Sequence, residues 1–186
     1  MNYVTEIPDH YELHLGIMDP SAGYWKWNRT DGVPLQVIAF SNQPKAGAKT
    51  LCTLGVSRHT LHSTAGHVRQ ELILAVWEKY ACPELAATLA IIGEKVLDAH
   101  VAVEFGQVFG PAGLLILGSK LEAILCVHPE GFSTEFSVCS KTEPKTELAM
   151  LVPITCEEAD EVANSGVEDL QLRWKRDGID LLDMHR

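Results

Sequence analysis

No run in these 186 residues approaches the roughly 18 consecutive apolar residues of a membrane span. The start, MNYVTEIPDHYEL, lacks both the basic region and the apolar stretch of a signal peptide. Cysteine is scarce. The five present (Cys52, Cys82, Cys126, Cys139, Cys156) are an odd number, and none falls in a CxxC. With no secretion signal, they read as reduced thiols of a cytoplasmic protein. Also missing are HExxH, a Walker loop, GxGxxG and GxSxG, so no familiar catalytic or nucleotide-binding motif marks the chain. Positive charge is short: 15 Lys and Arg stand against 25 Asp and Glu, a net charge of −10. Phosphate backbones and anionic lipids attract cationic surfaces, so neither a nucleic-acid nor a membrane partner is expected. A basic partner suits that balance.

The acidity is unevenly placed. Residues 1–22 hold Glu6, Asp9, Glu12 and Asp19 and no Lys or Arg. Residues 146–172 hold Glu147, Glu157, Glu158, Asp160, Glu161, Glu168 and Asp169, again with no Lys or Arg. These two stretches carry more than the whole net charge, and the rest of the chain is nearly neutral. Acids in the first turn of a helix are favoured by its dipole, so solvated helix faces are one reading. An electronegative docking surface is the other, and it requires the stretches to meet in space.

A balance of 46% hydrophobic and 22% charged residues is that of an ordinary globular domain. A chain this long buries enough surface to need no metal or disulfide staple. Pro8–Leu15 reads as a short helix and Asp19–Gly23 as a turn. Strands are expected at 24–27, 35–40, 49–56 and 67–76, separated by Gly-, Pro- and Asp-bearing loops such as Asp31-Gly32. Pro83 opens the clearest helix, 83–102, with Leu85, Leu89, Ile92 and Val96 on one stripe. A strand over 121–127 follows, and 132–139 reads either way. Leu148–Ile154 has the length and composition of a central strand. Thr155-Cys156-Glu157-Glu158 is a capping box opening a helix to about Asn164, and Ser165–Glu168 looks like a second box. Strands, a helix, strands, then helices indicate an α+β single domain over 1–186, with residues 1–30 poorly defined. The sheet is expected to be mainly antiparallel or mixed, packed against the long helix and the C-terminal helices.

Candidate chemistry is sparse. His59, His62 and His67 lie close in sequence without zinc-finger spacing, and a polar loop accounts for them. Gly106, Gly110 and Gly113 suggest a phosphate loop, but Pro111 removes an amide donor and no Lys follows in place. Cys156 falls in a helical first turn, where the dipole lowers a thiol pKa, while Glu157 and Glu158 oppose it. Arg69 and Glu71 share one strand face, with Arg58 and His59 near, as a structural salt bridge or as a functional patch. Trp25 and Trp27 share a face as core or as an interface anchor.

The ordered pieces TLGVS (53–57), RQELI (69–73), GQVFGPAG (106–113), LGS (117–119), Glu122-Ala123, LVPIT (151–155), Glu157-Glu158-Ala159 and DLLD (180–183) resemble the suppressor of fused domain family in its compact bacterial form. The likeness runs from about Leu35 to Asp183. It implies a non-enzymatic protein with no catalytic residue, metal or cofactor. Animal members hold a transcription factor and carry a further C-terminal domain, for which this chain is expected to be too short. Bacterial members are often encoded with polymorphic toxins and are thought to act as immunity proteins. The expectation is therefore a protein-binding module that neutralises a toxin domain, with a basic toxin as partner. Expected contacts are Glu157, Glu158, Asp160, Glu161, Glu168 and Asp169, with Arg58, Arg69 and Glu71. Two alternatives stay open: a peptide-binding module using strand addition at a sheet edge, and a small enzyme using a Cys or the His59/His62/His67 loop.

Overall fold

The computed structural model describes residues 3–30, 32, 34–111 and 113–186, with side chains from Glu6 onward. Asp31 of the expected turn and Ala112 of the glycine-rich loop lie outside the described residues.

Among the described residues nine strands form one mixed sheet: β1 (Tyr24–Trp27), β2 (Leu35–Ser41), β3 (Ala48–Leu54), β4 (Leu61–Ser63), β5 (Gly66–Trp77), β6 (Val108–Phe109), β7 (Ala123–Val127), β8 (Val138–Cys139) and β9 (Thr146–Ile154). The main order is β1-β2-β3-β5-β9-β7-β6, with β4 paired to β5 and β8 to β9. Every pairing is antiparallel except β5 with β9. The parallel pair is at the centre, as the buried apolar run of β9 requires, since parallel strands need both faces covered. The α-helices among the described residues are α1 (Tyr3–Leu15), α2 (Pro83–Ala99), α3 (Cys156–Ser165) and α4 (Val167–Asp177).

The period of two along each strand divides the core into two layers. Leu35, Val37, Leu51, Leu72, Leu74 and Val76 point to one face and meet Leu85, Leu89, Ile92 and Val96 of α2. Trp25 and Trp27 pack on that layer too, so the pair belongs to the core edge. Ile38, Phe40, Cys52, Ile73, Leu125 and Val152 point the other way, to α1 (Ile7, Tyr11, Leu15) and α4 (Val167, Leu170, Trp174). Both acidic stretches thus lie on one side of the sheet.

Several boundaries differ from the sequence reading. α1 starts before Pro8 and encloses it, because Ile7, Tyr11 and Leu15 form a buried stripe at i, i+4 spacing that extends the helix upstream. The N-terminal segment is therefore a packed element. α2 ends at Ala99, where His100 turns left-handed at φ 53°. The stretch 132–139 becomes a 3-10 turn (Thr134–Ser137) and the short strand β8. The first capping box forms as read, but the second does not. Gly166 is the N-cap of α4 with φ 90°, and no side chain caps the helix there. His62 and His67, assigned to a loop, face each other across the β4–β5 hairpin with ring centroids 4.6 Å apart. No helix among the described residues is long and apolar enough to cross a membrane.

Candidate functional site

Two places gather the residues singled out from sequence. The first is the end of the sheet face beside α1. β3 stops at Leu54 because Gly55 takes φ 127°, and a Cβ there would stand 2.8 Å from the Pro34 carbonyl oxygen. A 3-10 turn (Val56–Arg58) follows, and β5 holds it. The Glu71 Oε1 accepts the Gly55 N–H (3.0 Å), the Ser57 N–H (3.0 Å) and the Ser57 hydroxyl (2.7 Å). Its Oε2 accepts the Thr53 hydroxyl at 2.5 Å, and Thr53 Oγ1 accepts the Leu72 N–H at 2.8 Å. Arg69 Nη1 donates to the Ser57 carbonyl. Residues i and i+2 of one strand thus hold opposite ends of one short turn, and Arg58, the next residue, is left exposed.

Glu71, one of the expected contacts, is completely buried. Its pattern neighbours are neutral donors, and a carboxylate buried among them anchors the turn. Burial pushes its pKa up, and the bonds from Thr53, Ser57 and Gly55 offset only part of that. α1 closes over the neighbouring face, with Tyr11 donating its hydroxyl to the Thr53 carbonyl at 2.9 Å and meeting Phe40 edge-on. What α1 leaves uncovered is a groove of about 500 Å³, walled by Ile7, Glu12, Met18, Ile38 and Leu54, with Glu71 at its floor and Arg58 at its rim.

The second place is the α3–α4 hairpin. Glu158, also among the expected contacts, is 5% exposed. Its Oε2 accepts the Thr155 N–H at 3.0 Å, completing the capping box with the Glu158 N–H on Thr155 Oγ1 at 3.1 Å. Its Oε1 takes Trp174 Nε1–H and Arg186 Nη1–H, each at 2.7 Å. Burial pushes its pKa up, but Arg186, the Thr155 N–H and Trp174 outweigh burial and hold it below the ordinary carboxylate range. Glu161 is half-buried and bound by Arg173 Nη2 at 2.8 Å. The remaining four expected acidic contacts, Glu157, Asp160, Glu168 and Asp169, are exposed, and among the described residues no ion pair holds any of them. The basic residues of α4 are committed elsewhere: Arg173 to Glu161, Lys175 to Glu130 and Arg176 to Asp177. The segment 130–139 touches both acidic stretches, joined to α1 by His10 on the Phe136 carbonyl and to α4 by Lys175 on Glu130.

The other expectations are placed as follows. Cys156 sits in the first turn of α3 but donates to Glu122 Oε2 at 3.0 Å, and that bond with the nearby acids raises its thiol pKa. Burial pushes Cys126 up to about 12 and holds Cys52 well above the ordinary thiol range. In Cys52, Cys126 and Cys156 the thiolate form that nucleophilic chemistry uses is therefore disfavoured. Among the described residues no three metal-ligating side chains converge. The sheet ends in a four-residue strand, β1, and a two-residue strand, β6, neither of which is the long open edge that strand addition would use. Sequence reasoning missed Glu12, Tyr24, Gln36 and Leu54 around the groove, and Arg186 as the anchor of Glu158. Only the alternation of β1 and β2 hinted at the former.

A family model described as suppressor of fused protein (SUFU) matches residues 31–186. The chain belongs to the suppressor of fused family. The matched span takes in the Glu71 turn, the capping box and Arg186, while α1 lies before it. Among solved structures, the chain is similar to the SUFU homologue of Neisseria gonorrhoeae FA 1090, at 19% identity and a TM-score of 0.77, covering 100% of this chain and 96% of that one. It is also similar to a chain of the Sufu–Fu complex (12% identity, TM-score 0.60, 95% and 82% covered). Drosophila Suppressor of Fused matches at 13% identity and a TM-score of 0.51, over 86% of this chain but 38% of its own length. At these identities the likeness is one of SUFU fold. No curated protein matches the chain by sequence.

Proposed function

We propose that this SUFU domain is a protein-binding module that neutralises a toxin domain by direct binding, and that a basic partner docks on the α3–α4 hairpin. One observation carries the reading: Glu157, Asp160, Glu168 and Asp169 are four exposed, unpaired carboxylates on one hairpin whose cations are all engaged elsewhere. Complementary charge of this kind speeds encounter and selects the partner more than it deepens affinity. A solved relative in complex with Fu supports protein binding as the general mode. Arg69 and Glu71 enter this reading as supports of the Arg58 turn, and Glu158 as the support of the hairpin.

The test is co-expression with the product of the adjacent open reading frame, which this reading expects to be a basic toxin domain. Growth should be restored, and the association rate should fall about tenfold between low and high salt, as for a charge-steered encounter. Reversing the four carboxylates to lysine should slow association about as much and leave the melting temperature within a few degrees. Growth that is not rescued sinks the immunity role. Rescue with a salt-insensitive rate keeps the role and removes the acidic hairpin from it.

A further inference from the structure

His62 and His67 take no part in the groove beside α1 or in the hairpin of α3 and α4, and the fold sets them at one place. They are directly opposed in the β4–β5 hairpin, whose arms are joined through Thr64 and Ala65. The His62 N–H donates to the His100 carbonyl at 2.9 Å, and the His62 carbonyl accepts the Ala102 N–H at 2.8 Å. Both backbone groups of His62 therefore face away from β5. That makes the two histidines a non-hydrogen-bonded pair of the ladder, the kind in which opposed side chains stand closest. Leu61 and Val68, the neighbouring pair, turn to the layer under α2, so the imidazoles share the other face, and both residues are exposed.

The hairpin that carries them is fastened on several sides. The Glu104 carboxylate grips its tip, accepting the Thr64 N–H at 2.7 Å and the Thr64 hydroxyl at 3.2 Å. Gln70 of β5 exchanges two side-chain bonds with the Val103 backbone, at 3.0 and 2.9 Å. With the two bonds of His62, these tie the hairpin to residues 100–104. Arg69, the cation next along the same strand face, gives Nη1 to the Ser57 carbonyl. The ring centres of His62 and His67 are 4.6 Å apart. Imidazole nitrogens roughly 2.0–2.1 Å from one ion, at angles of about 90–110°, put their ring centres about 4.5–5 Å apart. The backbone thus already holds the span of a chelate, and two exposed rings need only turn about χ2 to aim a nitrogen each.

We propose that His62 and His67 form a two-imidazole site for a late first-row divalent metal ion such as Zn2+, with water in the remaining coordination positions. Neutral imidazole suits ions of this class, whereas Mg2+ and Ca2+ prefer oxygen. Two protein ligands are one fewer than a catalytic zinc site has, so the ion stays open to solvent. The proposal stands apart from the docking role of the acidic hairpin.

The probe is Zn2+ itself, titrated into the full chain and followed by the imidazole C–H resonances of its eight histidines. Those of His62 and His67 should move together, ahead of the rest, and saturate at a single equivalent. His62→Gln and His67→Gln should each weaken this binding by about tenfold or more, because the second imidazole closes the chelate at high effective concentration. Both side chains are exposed, so either variant should keep its melting temperature within a few degrees. His100→Gln, beside the pair along the chain that holds His62, should keep affinity within about twofold. Mg2+ at the same concentration should leave the pair unmoved. A smaller loss in His67→Gln, or histidines elsewhere that fill as early as the pair, would overturn the proposal. So would a loss in His100→Gln as large as that in His67→Gln, which would assign the ion to other ligands.

Discussion

Glu71 and Glu158 are two buried carboxylates on the same side of one sheet, and they are solved in opposite ways. Glu71 sits among neutral donors, three of them N–H or O–H groups of the 55–57 turn on one oxygen. The bonds from Thr53, Ser57 and Gly55 offset only part of the loss of hydration, and its pKa rises. Glu158 loses water too, but Arg186 stands 2.7 Å away and Trp174 and the Thr155 N–H complete its shell, so its pKa falls. Hydrogen bonds from neutral groups fix geometry, while a guanidinium also repays the charge. The Glu71 nest presents a cation to solvent. The Glu158 nest absorbs cations and leaves the surface acids of its hairpin bare.

The sharpest break of this contrast is truncation. Glu71→Ala leaves buried N–H and O–H donors of Gly55, Ser57 and Thr53 without an acceptor. At about 1–3 kcal/mol per orphaned group, the loss should reach about 4 kcal/mol in urea unfolding. Glu71→Gln keeps an acceptor oxygen and should cost about 1 kcal/mol. Glu158→Ala should cost less than Glu71→Ala, about 3 kcal/mol, because Arg186, the cation it strands, keeps its bond to the Pro153 carbonyl at 2.8 Å. A reversed order would show that charge, not donor count, dominates both nests.

Acid sharpens the contrast, because the two shifts have opposite sign. A raised folded pKa adds stability that is complete below the unfolded value of about 4.3 and is lost as pH climbs through the folded value. The margin of the wild type over Glu71→Gln should therefore grow as pH falls from 7 toward 4. A lowered folded pKa does the reverse: its contribution is present above about 4.3 and is lost as pH drops through the folded value. The margin over Glu158→Gln should shrink below pH of about 4. Urea midpoints of the three proteins across this window decide it, and parallel curves would remove the distinction.

The strands with strict alternation or a continuous apolar run, β2, β5 and β9, were legible in the sequence, as was the long stripe of α2. So was the capping box, because Thr155 and Glu158 are tied by local geometry alone. The pairing of Arg69 and Glu71 on one strand face was also legible, but not their common target, since Ser57 reaches them only through the antiparallel pairing of β3 with β5. The exposure of Glu158 was misjudged for a similar reason. Helical spacing places it in the first turn, whereas Trp174 and Arg186, 16 and 28 residues away, decide that it is buried. Local patterns fix elements; partners distant in sequence fix which charges remain free.

The smallest expected effect isolates the local half of the Glu158 nest. Its Oε2 serves the helix cap, and its Oε1 serves Trp174 and Arg186. Thr155→Ala removes one acceptor, Oγ1, from the Glu158 N–H and leaves both carboxylate oxygens engaged. An N-cap of this kind contributes about 1 kcal/mol, so that loss is expected, and Thr155→Ser should recover most of it. If the cap also steers the carboxylate toward Arg186, the losses of Thr155→Ala and Glu158→Ala will fall short of additivity in a double-mutant cycle, by about 0.5 kcal/mol or more. Strict additivity would mean that the long-range bonds alone position Glu158 and that the box merely starts the helix. At the Glu71 nest no such local half exists, since every acceptor bond there spans 14 residues or more.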